Sequence, residues 1–148
     1  MRAWRLRAGS MSCCNARLLL LPIFASASSP SGLLTNLLRS PALGVPALPR
    51  FSWIVPAAPA ETDHVQSAYR LKVVDEASGV VAWDSGTVSS NYSTSVPYSG
   101  PALKPGAGYT WTVTTTTSGQ LQTPHVSTSA PATFVTALFD GFASNAYT

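Results

Sequence analysis

The run LKPGAGYTWTV, residues 103–113, constrains the fold more than any other part of this chain. After Tyr109, large apolar residues alternate with threonine, and this period of two is typical of a β-strand with one buried face. Leu103 and Pro105 complete the pattern Leu-x-Pro-x-x-x-Tyr-x-Trp-x-Val. The pattern predicts a tyrosine corner, in which the Tyr109 hydroxyl bonds to an upstream backbone group while Trp111 enters the core. Because such corners occur in Greek-key β-sandwiches, the run predicts that fold.

Other alternating runs predict about six or seven strands and no helix of ordinary length. Recurrent prolines between Pro30 and Pro59 predict an extended stretch, with a first strand at Phe51–Val55 near a sheet edge. A polar stretch covers Glu61–Gln66, and the turn residues Asp75–Gly79 predict a hairpin. The remaining predicted strands are Ser67–Val74, Val80–Trp83, Ser93–Tyr98 and Ala132–Leu138, the last with Phe134, Thr136 and Leu138 on one side.

Residues 1–27 have the features of a targeting segment. Arginines precede an apolar run at Leu18–Phe24, and Ala25-Ser26-Ala27 has the small-x-small pattern of a signal-peptidase site. The apolar run is shorter than the roughly 20 residues that span a bilayer, which argues against a membrane helix. We therefore expect a signal peptide, cleaved after Ala27, and secretion. An organelle transit peptide and an unprocessed, disordered N-terminus are the alternatives.

Two further features bear on the compartment. Both cysteines, Cys13 and Cys14, lie inside the targeting segment, so a processed chain has no thiol for a disulfide or a zinc site. Asn91-Tyr92-Ser93 matches the N-glycosylation sequon. In a secreted protein we expect Asn91 to be the acceptor of the glycan.

The charge of the chain argues against a nucleic-acid partner. Up to Ala60 there are six arginines and no acidic residue, whereas from Glu61 onward there are three basic residues and six acidic ones. Phosphate recognition requires lysine and arginine clustered on a folded surface. Here the excess of positive charge lies in the N-terminal part, so the folded part is not expected to bind DNA or RNA.

A series of stretches in fixed order carries a family resemblance. They are Leu34-Thr35-Asn36, Pro41-x-x-Gly44, Pro49–Trp53, Gln66–Arg70, Trp83–Gly86, Val96–Gly100, Leu103–Val113 and Phe134-Val135-Thr136. Together they resemble the fibronectin III-like N-terminal domain of bacterial-type α-L-rhamnosidases. The resemblance implies an all-β, immunoglobulin or fibronectin III-like Greek-key sandwich at residues 28–139. A C-terminal tail, residues 140–148, follows it.

The resemblance also implies a function. In that family the domain precedes further β-sandwich modules and a helical barrel that carries the catalytic carboxylates. No position of this chain corresponds to the barrel or to the residues that bind rhamnose. The expectation is a non-catalytic accessory domain, a fragment of a glycosidase, whose partners are the neighbouring domains. After Phe139–Phe142 the family normally continues into the next module, and Ser144–Thr148 departs from that pattern.

The residues give no independent sign of catalysis, a cofactor or a metal. Glycoside hydrolysis needs two converging carboxyl groups, but the acids lie in predicted turns and loops, at Glu61, Asp63, Asp75, Glu76 and Asp84, with Asp140 near the end. His64 and His125 are predicted in loops without a second ligand at metal-binding spacing. The chain contains no Gly-x-Ser-x-Gly, Walker or dinucleotide motif.

Two other function classes stay open. A carbohydrate-binding module would stack sugars on exposed aromatic side chains, for which the candidates are Tyr92, Tyr98, Phe139, Phe142 and Tyr147. Most of these five are expected to make core or interdomain contacts instead. Trp53, Trp83 and Trp111 are instead assigned to the core, since they alternate with polar neighbours in predicted strands. A stand-alone protein-interaction domain is the third class, which the fold alone neither supports nor excludes.

Overall fold

Two β-sheets make up the part of the chain that the computed structural model describes, which is residues 29–56, 65–118 and 124–138. The first strands are β1 (Ser31–Thr35), β2 (Leu38–Arg39), β3 (Ala42–Val45) and β4 (Arg50–Ile54). The middle strands are β5 (Val65–Asp75), β6 (Val81–Asp84), β7 (Val88–Ser89) and β8 (Val96–Pro97). The last are β9 (Gly108–Ser118), β10 (His125–Thr128) and β11 (Ala132–Thr136).

The small sheet has the order β2-β1-β4-β8, and the large sheet has the order β3-β11-β9-β5-β6. In the large sheet β10 also pairs with β9, and β7 also pairs with β5. Neighbouring strands are antiparallel except for the parallel pair β3 and β11. The longest ladder joins β5 to β9, from Val65 opposite Ser118 to Asp75 opposite Tyr109.

The all-β sandwich predicted from the sequence is confirmed, although the described residues form more strands than the six or seven expected. β10 was not predicted as a strand. Ser129 lies between β10 and β11, where its N–H donates to the Val113 carbonyl and its hydroxyl accepts from the Val113 N–H. The chain thus keeps its bonds to β9 through the interruption. The predicted Ser93–Tyr98 strand is reduced to Val96–Pro97, since only these residues form ladder pairs with β4.

The first half of the fold corrects two expectations. Phe51–Val55 is not the first strand, because β1, β2 and β3 precede it. The prolines do not prevent them, since Pro41, Pro46 and Pro49 all lie between strands and remove no ladder donor. Nor does β4 lie at an edge, because it pairs with β1 on one side and β8 on the other.

The core lies between the sheets and is centred on β9. Burial alternates along this strand, with threonines such as Thr110, Thr112 and Thr114 on the opposite face. The buried face is continued by residues from both sheets. The largest fully buried side chains include Phe51, Leu71, Val73, Tyr109, Trp111, Val113 and Phe134. The assignment of tryptophans to the core is confirmed for Trp53 and Trp111, and Trp83 packs against the core while partly buried.

Two local predictions have different outcomes. The turn at Asp75–Gly79 joins β5 to β6 as expected, with Asp75 Oδ1 accepting from the N–H groups of Ala77 and Ser78. Gly79 has a φ of +67°, which a residue with a side chain rarely adopts. By contrast, Leu138 does not share the buried side of Phe134 and Thr136. It lies beyond the end of β11 and is 65% exposed.

Candidate functional site

The tyrosine-corner residues come together at the start of β9. The backbone N–H of Lys104 donates a 3.0 Å hydrogen bond to the Tyr109 hydroxyl, so the corner oxygen acts as an acceptor. Leu103 and Tyr109 are buried, Pro105 is exposed, and the Tyr109 ring stacks on Phe134 with centroids 5.5 Å apart. The contact closes the loop that leads into β9. It serves the fold, since no group in it is free to act on a substrate.

Thr136 fastens the same loop from β11, a role that the sequence did not indicate. Its hydroxyl donates to the Lys104 carbonyl at 2.6 Å and accepts from the Ala107 N–H at 3.0 Å. Thr136 is 3% exposed. A buried hydroxyl needs such partners, because an unpaired one would lower stability. Both ends of the corner loop are therefore tied to the core.

A cavity of about 420 Å³ opens beside the corner. Its polar side chains are already engaged within the protein. Tyr98 donates to the Pro101 carbonyl, Ser78 accepts from the Val80 N–H, and the Lys104 ammonium lies 3.8 Å from Asp75 Oδ2. Burial raises the pKa of Tyr98, which keeps its phenol protonated as a donor. The cavity lacks a set of free polar groups converging on a ligand.

The acidic residues of the described ranges are held in structural contacts. Arg70 Nε donates to Asp84 Oδ1 at 2.8 Å, and Nη2 donates to Oδ2 at 2.6 Å. This bidentate bond is the main cause that lowers the pKa of Asp84 to about 2, and the hydrogen bond from the Gly86 N–H is the second. The pKa of Asp75 is lowered mainly by the hydrogen bond from the Ser78 N–H, and less by the hydrogen bond from the Ala77 N–H and the positive charge of Lys104.

These shifts point away from acid catalysis. A general acid needs a raised pKa, whereas the shifts at Asp75 and Asp84 favour the ionised carboxylate. Glu76 accepts a 2.7 Å hydrogen bond from the Thr110 hydroxyl. The expected turn role of Asp84 is observed in its bond from Gly86, but its pairing with Arg70 was missed. Glu61, Asp63 and Asp140 lie outside the described residues.

Gln66 was assigned to a polar stretch, but it lies in β5 and is 3% exposed. Its Oε1 accepts from the Trp53 indole N–H at 2.9 Å, and its Nε2 donates to the carbonyls of Ser90 and Tyr92 at 3.1 and 3.0 Å. The two carbonyls flank Asn91, whose side chain is exposed. The amide of Gln66 thereby holds the sequon loop against the core while Asn91 stays at the surface.

Of the candidates for sugar stacking, Tyr92 and Tyr98 lie among the described residues. Tyr98 is 5% exposed, in line with the expectation that most of these aromatic residues make core contacts, and its ring packs on Trp83 with centroids 4.8 Å apart. Tyr92 is 74% exposed, and Phe139, Phe142 and Tyr147 lie outside the described residues.

His125 was predicted to lie in a loop, but it begins β10, where it pairs with Thr117 of β9. His64, Cys13 and Cys14 are outside the described ranges. Among residues 29–56, 65–118 and 124–138, no group of three or more His, Cys, Asp or Glu side chains is arranged to hold a metal ion. The same ranges hold no helix of the length and apolarity that crossing a membrane requires.

Comparison with known proteins finds similar sequence and structure in α-L-rhamnosidases. The model of the family described as "Rha78A-like, N-terminal immunoglobulin domain" matches residues 30–140. An α-L-rhamnosidase from Streptomyces avermitilis is 47% identical over 70 residues, which is 45% of this chain and 7% of that protein. The chain therefore spans a small part of the length of this relative.

Solved structures agree with the sequence match. The α-L-rhamnosidase from Dictyoglumus thermophilum superposes with a TM-score of 0.64 at 30% identity, over 77% of this chain and 13% of that one. The Streptomyces avermitilis α-L-rhamnosidase, solved in complex with L-rhamnose, gives a TM-score of 0.63 at 36% identity, over 74% and 10%. The Aspergillus terreus α-L-rhamnosidase gives 0.59 at 27% identity, over 74% and 12%.

Proposed function

The chain belongs to the family of Rha78A-like N-terminal immunoglobulin domains, and from this premise we propose that it is a non-catalytic accessory domain of an α-L-rhamnosidase. The proposal rests on the match of residues 30–140 to this family, together with matches to α-L-rhamnosidases of which the chain covers only 7–13%. The match confirms the resemblance seen in the sequence.

The chemistry of the described residues supports a non-catalytic role. The bidentate Arg70–Asp84 pair, the turn contacts of Asp75 and the threonine contact of Glu76 occupy the carboxylates. A glycosidase requires one carboxyl group held protonated beside the glycosidic oxygen and a second that attacks the anomeric carbon or activates a water. The role of the domain is instead structural: it packs as a rigid sandwich against neighbouring domains of the enzyme and covers part of their surface.

A graft tests this role. In the Streptomyces avermitilis α-L-rhamnosidase, the segment that matches this chain is replaced by residues 30–140, and a second variant lacks the segment. We expect the graft to keep the thermal midpoint and activity of the parent enzyme, while the deletion lowers the midpoint because apolar surface is left uncovered. A graft that melts as early as the deletion would contradict the proposal.

We further propose the domain limits and the compartment. Residues 1–27 act as a signal peptide, residues 28–139 form the sandwich and residues 140–148 form a tail. Two features support this proposal. In the targeting segment, arginines are followed by an apolar run and then by small residues, and Asn91 of the sequon is exposed. Mass spectrometry of the product secreted by its host should find an N-terminus close to Ser28. Retention of Met1 on the secreted product would exclude processing.

A further inference from the structure

The outer side of the small sheet carries an exposed apolar surface. Leu37, Leu48 and Ile54 are 72%, 59% and 63% exposed. Two grooves connect them. One of about 290 Å³ is lined by Leu37 and Leu48, and one of about 490 Å³ is lined by Leu37 and Ile54. Because Leu37 lines both grooves, the three side chains form one surface, here called the hairpin face. Contiguous apolar surface of this kind marks interaction sites in soluble proteins.

Backbone strain lies at the centre of this face. Asn36 and Leu37 occupy the two central positions of the β1–β2 hairpin, between the paired residues Thr35 and Leu38, with φ values of +50° and +65°. A turn with two positive φ values favours Asn-Gly, since a side chain is disfavoured at the second position. Leu37 retains its side chain in this conformation and presents it to solvent. Strain of this kind persists at sites where it serves a function.

Neighbouring contacts hold the turn and the isoleucine in place. Asn36 Oδ1 accepts from the Arg50 N–H at 2.7 Å, and the Asn36 N–H donates to the Arg50 carbonyl at 2.8 Å. A Cβ at Gly32 would lie 2.7 Å from Ile54 Cδ1, so the glycine leaves the space that the Ile54 side chain occupies. The hairpin face is therefore a defined surface in the isolated chain.

The charge of the face is positive. Arg39 lines the larger groove and Arg50 the smaller one. Residues 29–56, which form most of the face, contain no aspartate or glutamate. A complementary partner would present apolar side chains together with carboxylates.

We propose that the hairpin face docks a neighbouring protein module of an α-L-rhamnosidase, one that presents apolar side chains flanked by carboxylates. This inference rests on the proposed function. In the solved rhamnosidases the matched part is 10–13% of the chain, so most of the polypeptide lies outside it and can supply the partner surface. Leu37 is the central anchor, Ile54 and Leu48 extend the contact, and Arg39 and Arg50 pair with the carboxylates.

Binding between two molecules tests the proposal. The full chain is titrated against the Streptomyces avermitilis α-L-rhamnosidase from which the matching segment has been deleted. Leu37→Gly removes the side chain and relieves the strain, so it should raise the thermal midpoint of this chain while weakening binding about tenfold or more. Ile54→Ser should weaken binding similarly. Val126→Ser is the matched control, since Val126 is 61% exposed on β10 of the other sheet, and it should change affinity less than about twofold.

The outcomes separate the two proposals. Binding by the parent chain that Leu37→Gly and Ile54→Ser leave unchanged would overturn the docking face and keep the accessory role. No binding by the parent chain, together with failure of the graft, would overturn both. In the grafted enzyme a second measurement applies: Leu37→Gly should lower the thermal midpoint of the whole enzyme although it raises that of the separate chain. A rise in both would also overturn the docking face.

Discussion

The indole N–H of Trp111 in the large sheet donates a 3.0 Å hydrogen bond to the hydroxyl of Thr35 in the small sheet. The two residues are 0% and 2% exposed, so water cannot replace either partner. The bond therefore links the two layers of the sandwich at their centre.

Thr35→Val should lower the free energy of unfolding by about 1–3 kcal/mol, because it leaves the buried indole N–H without an acceptor. Thr35→Ser keeps the hydroxyl and should lose less. Urea denaturation monitored by tryptophan fluorescence measures both. Equal midpoints for Thr35→Val and the parent chain would show that the bond contributes nothing.

Tyr109→Phe should lower stability by about 0.5–1.5 kcal/mol, since the Lys104 N–H loses its acceptor while the ring stacking on Phe134 remains. Tyr92→Phe removes a hydroxyl from a residue that is 74% exposed and should stay within about 0.5 kcal/mol of the parent. Denaturant midpoints provide the comparison. A similar effect of the two substitutions would contradict the tyrosine corner.

The Arg70–Asp84 pair should make stability depend on pH in the acid range. The pKa of Asp84 is about 2 in the folded chain against 3.8 ordinarily, so its contribution is present above about pH 4 and is lost as the pH falls toward 2. The thermal midpoints of parent and Asp84→Asn should therefore differ at pH 6 and converge near pH 2. A difference that is constant over this range would rule out the pair as its cause.

Expression of the full chain in secreting eukaryotic cells should yield a product with an N-linked glycan at Asn91. The reason is the exposure of Asn91 in a loop whose flanking carbonyls are held inward by Gln66. Intact-mass measurement before and after glycosidase treatment detects the glycan, and Asn91→Gln should abolish it. A secreted product with the same mass as Asn91→Gln, apart from the substitution, would contradict this assignment.

Local patterns in the sequence predicted the features that depend on neighbouring residues. The alternation after Tyr109 predicted β9, and the polar residues of Asp75–Gly79 predicted the β5–β6 turn. Strands β1, β2 and β3 were missed, because each is at most five residues long and the intervening prolines resemble those of an irregular stretch. β1 also pairs with β4, and β3 pairs with β11, which are more distant in the sequence, whereas the local β1–β2 hairpin turns at Asn36-Leu37 without the usual glycine.

Burial of polar and aromatic residues was harder to predict for a similar reason. Gln66 follows polar residues, yet it is buried by partners from two separate segments, Trp53 of β4 and the loop carbonyls of Ser90 and Tyr92. Most of the five candidate aromatic residues were predicted to make core or interdomain contacts, but the sequence did not indicate that the Tyr98 ring packs on Trp83 of β6. The Arg70–Asp84 pair was within reach of sequence reasoning. The β5–β6 hairpin places Asp84 opposite Lys72, and Arg70 lies two residues away on the same face of β5, as a diagonal neighbour of Asp84.

An assay of the purified full chain with an aryl α-L-rhamnoside tests whether this domain lacks rhamnosidase activity. We expect no release of the aryl alcohol above the buffer rate, because the carboxylates of Asp75, Glu76 and Asp84 are engaged in turn and strand contacts. Turnover above buffer that disappears in Asp75→Asn, Glu76→Gln or Asp84→Asn would contradict the account and make this chain a hydrolase in its own right.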